Sequence, residues 1–115
     1  FEDYVPLYFS SFDLDSCITV KEVIPSSSCG ILIHDFNHYS FDAILKIIEK
    51  FKFFSCGLNI KITNTELVQK LKNMNQIITV FSEKNITKEE ALDLWNIGVD
   101  SIFSDDPREI LFKFQ

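Results

Sequence analysis

The sequence predicts an α/β fold of about five parallel βα units, and three observations support this. Short apolar runs end near positions 9, 33, 60, 81 and 103, so they recur every 21 to 27 residues. Each run precedes a segment with helical spacing, the order expected for parallel strands joined by helices. Parallel strands are covered on both faces or closed into a barrel, and an eight-unit barrel takes about 250 residues. Because 115 residues are too few for eight units, we predict a partial TIM (β/α)8 barrel.

The first unit is predicted from a short apolar run and a candidate helix. Val5–Phe9 is followed by two serines, which indicates a buried strand. Asp13 or Asp15 can cap a short helix reaching Val23, although the run Cys17-Ile18-Thr19-Val20 has poor helix propensity.

The second unit contains the strand Cys29–Ile33, which follows a proline- and serine-rich loop. Ser40 is a candidate helix cap. The helix after it presents one apolar face at i, i+3, i+4 and i+7 spacing, formed by Phe41, Ile44, Leu45, Ile48 and Phe51.

The third unit begins with a strand in Phe53–Ile60. The segment Thr63-Asn64-Thr65-Glu66 has the pattern of a capping box and predicts the start of a helix. The inward residues of that helix are predicted to be Leu67, Val68, Leu71 and Met74.

The fourth unit has a strand at Ile77–Phe81 that is rich in β-branched residues. A second capping box, Thr87–Glu90, predicts a helix that buries Ala91, Leu92 and Trp95 and ends at Gly98.

The fifth unit begins with the strand Ser101–Phe103. Asp106 can cap a last helix whose first residue is Pro107. Its apolar face would be formed by Ile110, Leu111 and Phe114.

Composition limits the class of protein. At 46% hydrophobic and 24% charged residues, with twelve Phe and only three Gly and three Pro, the chain is one packed domain or part of one. A net charge of -6 disfavours nucleic acid as a partner. No apolar run approaches the roughly 20 residues of a membrane span. The chain begins with Phe1, which indicates processing, trimming or a piece of a longer product.

Cys17, Cys29 and Cys56 are odd in number and widely spaced, with no C-x-x-C pair. This pattern indicates neither a disulfide framework nor a structural zinc site. We therefore predict buried free thiols in a reducing cytoplasm.

Six segments, in this order, resemble the C-terminal part of glycerophosphodiester phosphodiesterases. They are Phe9-Ser10-Ser11-Phe12-Asp13, Gly30-Ile31-Leu32, Gly57-Leu58-Asn59, Thr65-Glu66-Leu67-Val68, Val80-Phe81-Ser82 and the closing stretch Gly98–Pro107. The closing stretch is the most specific, because the family ends in a Gly-Val-Asp-Gly-Ile-Ile-Thr-Asp-x-Pro type sequence. The resemblance implies that residues 1–115 are strands 4 to 8 of such a barrel.

The resemblance also implies an activity for the complete enzyme: hydrolysis of a glycerophosphodiester, a lipid-derived substrate, to glycerol 3-phosphate and an alcohol. That reaction uses a divalent cation, Ca²⁺ or Mg²⁺, and histidine acid/base catalysis. The family's His-Arg-Gly opening, its paired acidic metal ligands and its second catalytic histidine belong to an N-terminal part with no counterpart here. We therefore expect no catalytic residue, metal ligand or cofactor in this chain, and no activity of the chain alone.

Two aromatic residues are the candidate substrate-binding residues. If the resemblance holds, Phe12 and Phe81 line the mouth of the barrel and pack against a glycerol or alcohol moiety, although core packing would explain them equally well. The family has Trp-Thr-Val-Asn where this chain has Phe81-Ser82-Glu83-Lys84, so an aromatic ring and a hydroxyl are kept while the valine and asparagine are lost.

His34-Asp35 follows a predicted strand, where a barrel presents reactive groups. The family's similar pair lies upstream of the Ser-Phe segment, so we expect a loop or capping role. His34 and His38 have the spacing of a helical zinc motif, but they precede the helix that Ser40 caps, and no third ligand is indicated.

Other polar residues have simpler expected roles. Ser11 lacks the setting of a nucleophile and is expected to form hydrogen bonds at the strand end. Lys84 could contact a phosphate oxygen but is first a solvated loop lysine. Asp105 and Asp106 are expected to cap the last helix rather than to bind metal.

Two other functions remain open. A partial barrel has unpaired sheet edges, so the chain could be a non-catalytic module that assembles with an N-terminal fragment or with itself. It could also be a remnant that binds a phosphate or a polyol without turnover.

Overall fold

The computed structural model describes residues 8–103, and its five strands form one parallel sheet. The strands are β1 (Tyr8–Ser11), β2 (Ser28–Ile33), β3 (Ser55–Asn59), β4 (Ile77–Phe81) and β5 (Ser101–Ile102). The helices are α1 (Leu14–Val23), α2 (Phe41–Phe51), α3 (Thr65–Asn73) and α4 (Lys88–Ile97). The strands lie in the order β1-β2-β3-β4-β5, and all neighbouring pairs are parallel. This confirms the predicted alternation of parallel strands and helices, for five strands and the four helices between them. Within residues 8–103, β1 and β5 each pair on one side only.

The two faces of the sheet differ in character. One face belongs to the hydrophobic core with the helices, as register pairs such as Ile31 with Cys56 and Leu58 with Val80 show. The opposite face carries mainly small, polar and aromatic residues, with the aliphatic Leu32 and Ile77 among them, and it would line the inside of a closed barrel. Its strand residues are Tyr8, Ser10, Ser28, Gly30, Leu32, Ser55, Gly57, Asn59, Ile77, Thr79, Phe81 and Ser101. We call it the open face.

The caps of α1 and α2 agree with the sequence. Asp13 is extended and its side chain accepts a hydrogen bond from the backbone N–H of Asp15 at 3.2 Å. This cap and the burial of Leu14 and Cys17 offset the poor helix propensity of α1. Ser40 caps α2 by accepting from the backbone N–H of Ala43 at 3.1 Å.

The cap of α3 differs from the prediction by one residue. Thr63 ends a short 3-10 helix, Ile60–Ile62, and its hydroxyl donates to the carbonyl of Asn59 at 2.9 Å. Asn64 caps α3 instead, accepting from the backbone N–H of Leu67 at 2.9 Å. The predicted capping box at Thr63 was therefore wrong, because its hydroxyl is used by the preceding turn.

The capping box of α4 is confirmed, with Thr87 and Glu90 exchanging hydrogen bonds at 3.1 and 2.9 Å. Gly98 ends the helix with a φ of 107°, which a side chain would strain. The predicted burial of Trp95 was wrong, because its ring is 65% exposed. Leu94, one position earlier on the helix, is buried instead of Trp95, and Ala91 is buried as predicted.

Two predictions extend beyond the described residues. Val5 to Leu7 of the predicted first strand lie outside them, as does the whole helix predicted from Pro107. Within residues 8–103, every helix is too short or too polar to cross a membrane.

Candidate functional site

The aromatic and charged residues that the sequence singled out meet at the carboxyl ends of the strands. Phe12 follows β1 and Phe81 ends β4, yet their rings contact each other edge to face, with centroids 5.4 Å apart and planes at 88°. The contact spans the two strands, β2 and β3, that lie between β1 and β4 in the sheet. Phe12 is 58% exposed, so the pair is open to a ligand, and its role in substrate binding stays a prediction.

A group of charged side chains lies beside this aromatic pair. Asp35 Oδ2 is 3.1 Å from His34 Nδ1, and Glu83 Oε1 is 3.4 Å from His34 Nε2. Lys61 Nζ lies 3.7 Å from the same Glu83 oxygen. The residues come from the loops after β2, β3 and β4, so the parallel topology assembles them. We call His34, Asp35, Lys61 and Glu83 the polar cluster.

Asn59 ends β3 between the two strands whose loops carry His34 and Glu83. Its side chain is 1% exposed, and its Oδ1 accepts from the backbone N–H of Lys61 at 3.1 Å. Its Nδ2 has no hydrogen-bond partner among the described residues. A buried donor without an acceptor costs about 1–3 kcal/mol. Asn59 was not singled out from the sequence, although an amide ending an otherwise apolar strand was the available signal.

A cleft of about 430 Å³ opens at the ends of β1 and β2. Its walls combine the rings of Phe12 and Tyr39 with the side chains of Asp13, His34, Asp35 and His38, over a floor of strand and helix residues. Aromatic walls with a few convergent polar groups are typical of sites for small polar molecules.

The carboxylates of Asp35 and Glu83 stabilise the charged form of the His34 ring. Hydrogen bonds that the His34 ring donates to Asp35, the larger cause, and then to Glu83 raise the pKa of His34 above the usual 6.5. The pKa of Asp35 is lowered, chiefly by the hydrogen bond from the backbone N–H of Asn37 and then by His34. Because the folded pKa of His34 is raised, its contribution to stability is present below pH 6.5 and is lost as the pH rises through the folded value.

We expect an NMR titration of the His34 ring to give a pKa above 6.5. D35N should lower that pKa more than E83Q does, because Asp35 is the larger cause. Q69E on α3 serves as a charge-changing control away from the cluster. A His34 pKa that is unmoved by D35N would contradict the hydrogen bonds of the polar cluster.

Of the remaining candidates, Ser11 has a structural role. The Ser11 hydroxyl accepts from the backbone N–H of Asp13 at 2.9 Å, which is the strand-end role expected for it. Lys84 is exposed in the loop after β4. Asp105 and Asp106 lie outside the described residues.

The described residues do not fit a divalent-cation site of their own. Within residues 8–103, no three His, Cys, Asp or Glu side chains are placed so that they could hold a metal ion. His34 and His38 line the same cleft, but His34 is engaged by Asp35 and Glu83. No step of a reaction is therefore assigned to a metal held by this part of the chain.

The chain is similar in structure to several phosphodiesterases. It matches a phosphodiesterase of Oleispira antarctica, solved with the product sn-glycerol-3-phosphate, at a TM-score of 0.74 and 23% identity over 96% of this chain and 42% of that one. It matches a glycerophosphodiester phosphodiesterase of Parabacteroides distasonis at a TM-score of 0.68 and 19% identity, over 90% of this chain and 41% of that one.

No protein-family model matches the sequence, and no curated protein matches it significantly. The chain spans about 42% of the length of the Oleispira antarctica structure. The structural matches confirm, at the level of the fold, the resemblance that the sequence motifs indicated. The chain therefore has the fold of a partial TIM barrel, similar to part of the glycerophosphodiester phosphodiesterase barrel.

Proposed function

We propose that residues 1–115 are the C-terminal segment, strands 4 to 8, of a glycerophosphodiester phosphodiesterase-like barrel without its N-terminal catalytic half. The observation that carries this proposal is the sheet itself. Five parallel strands follow one another in chain order, with helices on one face and an open face of mainly small, polar and aromatic residues on the other. The same fold makes up about 42% of a structure solved with sn-glycerol-3-phosphate.

In this proposal the chain forms one wall of the substrate site. The Phe12–Phe81 pair packs against the glycerol or alcohol moiety of a glycerophosphodiester. The missing units would hold the divalent cation, Ca²⁺ or Mg²⁺, whose charge neutralises phosphoryl oxygens, together with the histidines that move protons. The reaction would belong to lipid metabolism, and we place it in the cytoplasm.

The proposal is tested by joining the chain to the N-terminal βα units of a related barrel. We expect no hydrolysis of glycerophosphocholine by the chain alone. Fusion of the chain behind the N-terminal βα units of the Oleispira antarctica protein should restore release of sn-glycerol-3-phosphate. In that fusion, F81A should raise KM about tenfold by removing the aromatic wall. F54A is the matched control, because Phe54 is a 45% exposed aromatic residue at the opposite end of β3.

Two results would contradict the proposal. One is hydrolysis by the chain alone at a rate comparable with that of the fusion. The other is a fusion that folds, as judged by circular dichroism and a cooperative melt, but releases no product.

The open face favours a second candidate, a non-catalytic partial barrel that associates through it or through its edges. Tyr8, Phe54 and Ile77 are exposed at its amino end, where the Tyr8 and Phe54 rings contact each other at 6.1 Å. Exposed apolar patches of this kind mark association surfaces. Sedimentation analysis separates the candidates, because a stable dimer of the chain alone favours self-association and a monomer favours completion by other units.

A further inference from the structure

We propose that His34 and Lys61 of the polar cluster, together with the neighbouring Asn59, form a binding site for a phosphate monoester, and that the Glu83 carboxylate occupies this site when no ligand is bound. The proposal goes beyond the function proposed above, because all four residues belong to this chain. It requires no residue of the missing units.

The position of the Glu83 carboxylate marks where an anion can bind. One of its oxygens, Oε1, lies 3.4 Å from His34 Nε2 and 3.7 Å from Lys61 Nζ, so two donors from separate loops converge on one anionic oxygen. Charge-assisted hydrogen bonds are ordinarily about 2.7–2.9 Å long. The carboxylate therefore bridges the donors loosely, and a phosphate group, with three terminal oxygens, can approach both more closely.

Asn59 supplies an independent observation. Its buried Nδ2 has no acceptor among the described residues. On one side of Asn59, the preceding Leu58 pairs with Ile33, the residue before His34. On the other side, Asn59 pairs with Phe81, two residues before Glu83. By this register Asn59 stands between the strand ends that carry His34 and Glu83, and its unpartnered Nδ2 is the donor that we assign to a further phosphate oxygen.

The exchange of Glu83 for a ligand is feasible because the bridge is exposed. The side chains of His34, Lys61 and Glu83 are 56%, 71% and 62% exposed, and ion pairs at such positions contribute little to stability. The hydrogen bond from His34 Nδ1 to Asp35 keeps the ring oriented with Nε2 towards the site.

The negative charge of the chain lowers its expected affinity for phosphate. The chain carries a net charge of -6, and the carboxylates of Asp13 and Asp35 line the adjoining cleft. We therefore expect millimolar binding that weakens with added salt.

The experiment measures binding to the chain alone, by calorimetry and by NMR of the His34 ring, with inorganic phosphate, sn-glycerol 3-phosphate and glycerol as probes. We expect both phosphates to bind and glycerol not to bind. E83Q should tighten phosphate binding about tenfold by removing the competing carboxylate, whereas H34N and K61M should each weaken it about tenfold. E66Q is the matched control, because Glu66 pairs with Lys70 on α3, away from the cluster.

N59D tests the buried donor. Aspartate keeps an oxygen for the backbone N–H of Lys61 but has no N–H to donate, so phosphate binding should be lost while the fold is kept. If N59D fails to fold, the surface variants decide. Each of three results would overturn the proposal. E83Q could bind phosphate no more tightly than the wild type does, or H34N and K61M could both leave binding unaffected. The third result is that neither the wild type nor E83Q binds phosphate.

These results are separable from those of the fusion experiment. Phosphate binding by the chain alone, with no hydrolysis by the fusion, would support this site and contradict the phosphodiesterase proposal. Tighter binding of sn-glycerol 3-phosphate than of inorganic phosphate would show that the glycerol moiety is also recognised.

Discussion

Replacing Leu58 by alanine is expected to lower the free energy of unfolding by about 2–5 kcal/mol. Leu58 is fully buried in β3, the central strand, where it pairs with Ile33 on β2 and Val80 on β4. Those neighbours are fixed by the parallel register, so the sheet cannot collapse around the missing methyl groups. Domains of this size are stable by about 5–15 kcal/mol, so the loss is a large fraction of the total.

Urea denaturation followed by circular dichroism measures this effect, and I77A is the matched control. Ile77 lies on the open face of β4 and is 41% exposed, so its truncation should cost less than about 1 kcal/mol. A loss below about 1 kcal/mol for L58A would contradict the assignment of that face as the core. An equally large loss for I77A would show that the open face is covered in solution.

Replacing Gly30 by alanine is the second large effect, and we expect a loss of about 1–3 kcal/mol. A Cβ at this position would lie 2.2 Å from the Ser55 Oγ, 3.0 Å from the Tyr8 hydroxyl and 3.3 Å from the Ser55 carbonyl oxygen. The clash also disturbs the hydrogen bond between the Tyr8 and Ser55 hydroxyls, which are 2.9 Å apart. The Ser55 hydroxyl would have to rotate away from Tyr8, and the Ser55 carbonyl on β3 would have to move by a few tenths of an ångström.

G57A is the control for G30A. Its added Cβ would lie 2.4 Å from the Leu32 Cδ2, the end of a flexible side chain that can change rotamer, so its cost should be smaller. S55A should recover part of the loss in a G30A background, because it removes the closest atom, and a double-mutant cycle measures that coupling. Additive effects of S55A and G30A would contradict the close approach of β2 to β3 at Gly30.

Local signals predicted most of the fold correctly. Ser40, Thr87 and Gly98 act through hydrogen bonds or dihedral angles of their own segments, so the sequence around each was sufficient. The parallel order also followed from the recurrence of strand and helix. Trp95 was mispredicted because a helical pattern defines a face only to within one residue, and in the structure it is Leu94 that belongs to the hydrophobic core.

The candidate site could be predicted only in part. Phe12 and Phe81 were named through the family resemblance, but their mutual contact depends on how far the sheet curves. His34 and Glu83 lie 49 positions apart in sequence and meet only because β2 and β4 flank β3. The missing partner of Asn59 is a property of the packed structure, and no local pattern encodes it.

The three cysteines can report where the folded chain opens locally. All are buried, one each in α1, β2 and β3, and burial raises the pKa of Cys17 to about 11 and that of Cys56 to about 12. A thiol-specific alkylating reagent therefore reaches them only when the surrounding segment transiently unfolds. The rate at which each sulfur is labelled compares the opening of the first helix with that of the central strand, in the native protein and without any added probe.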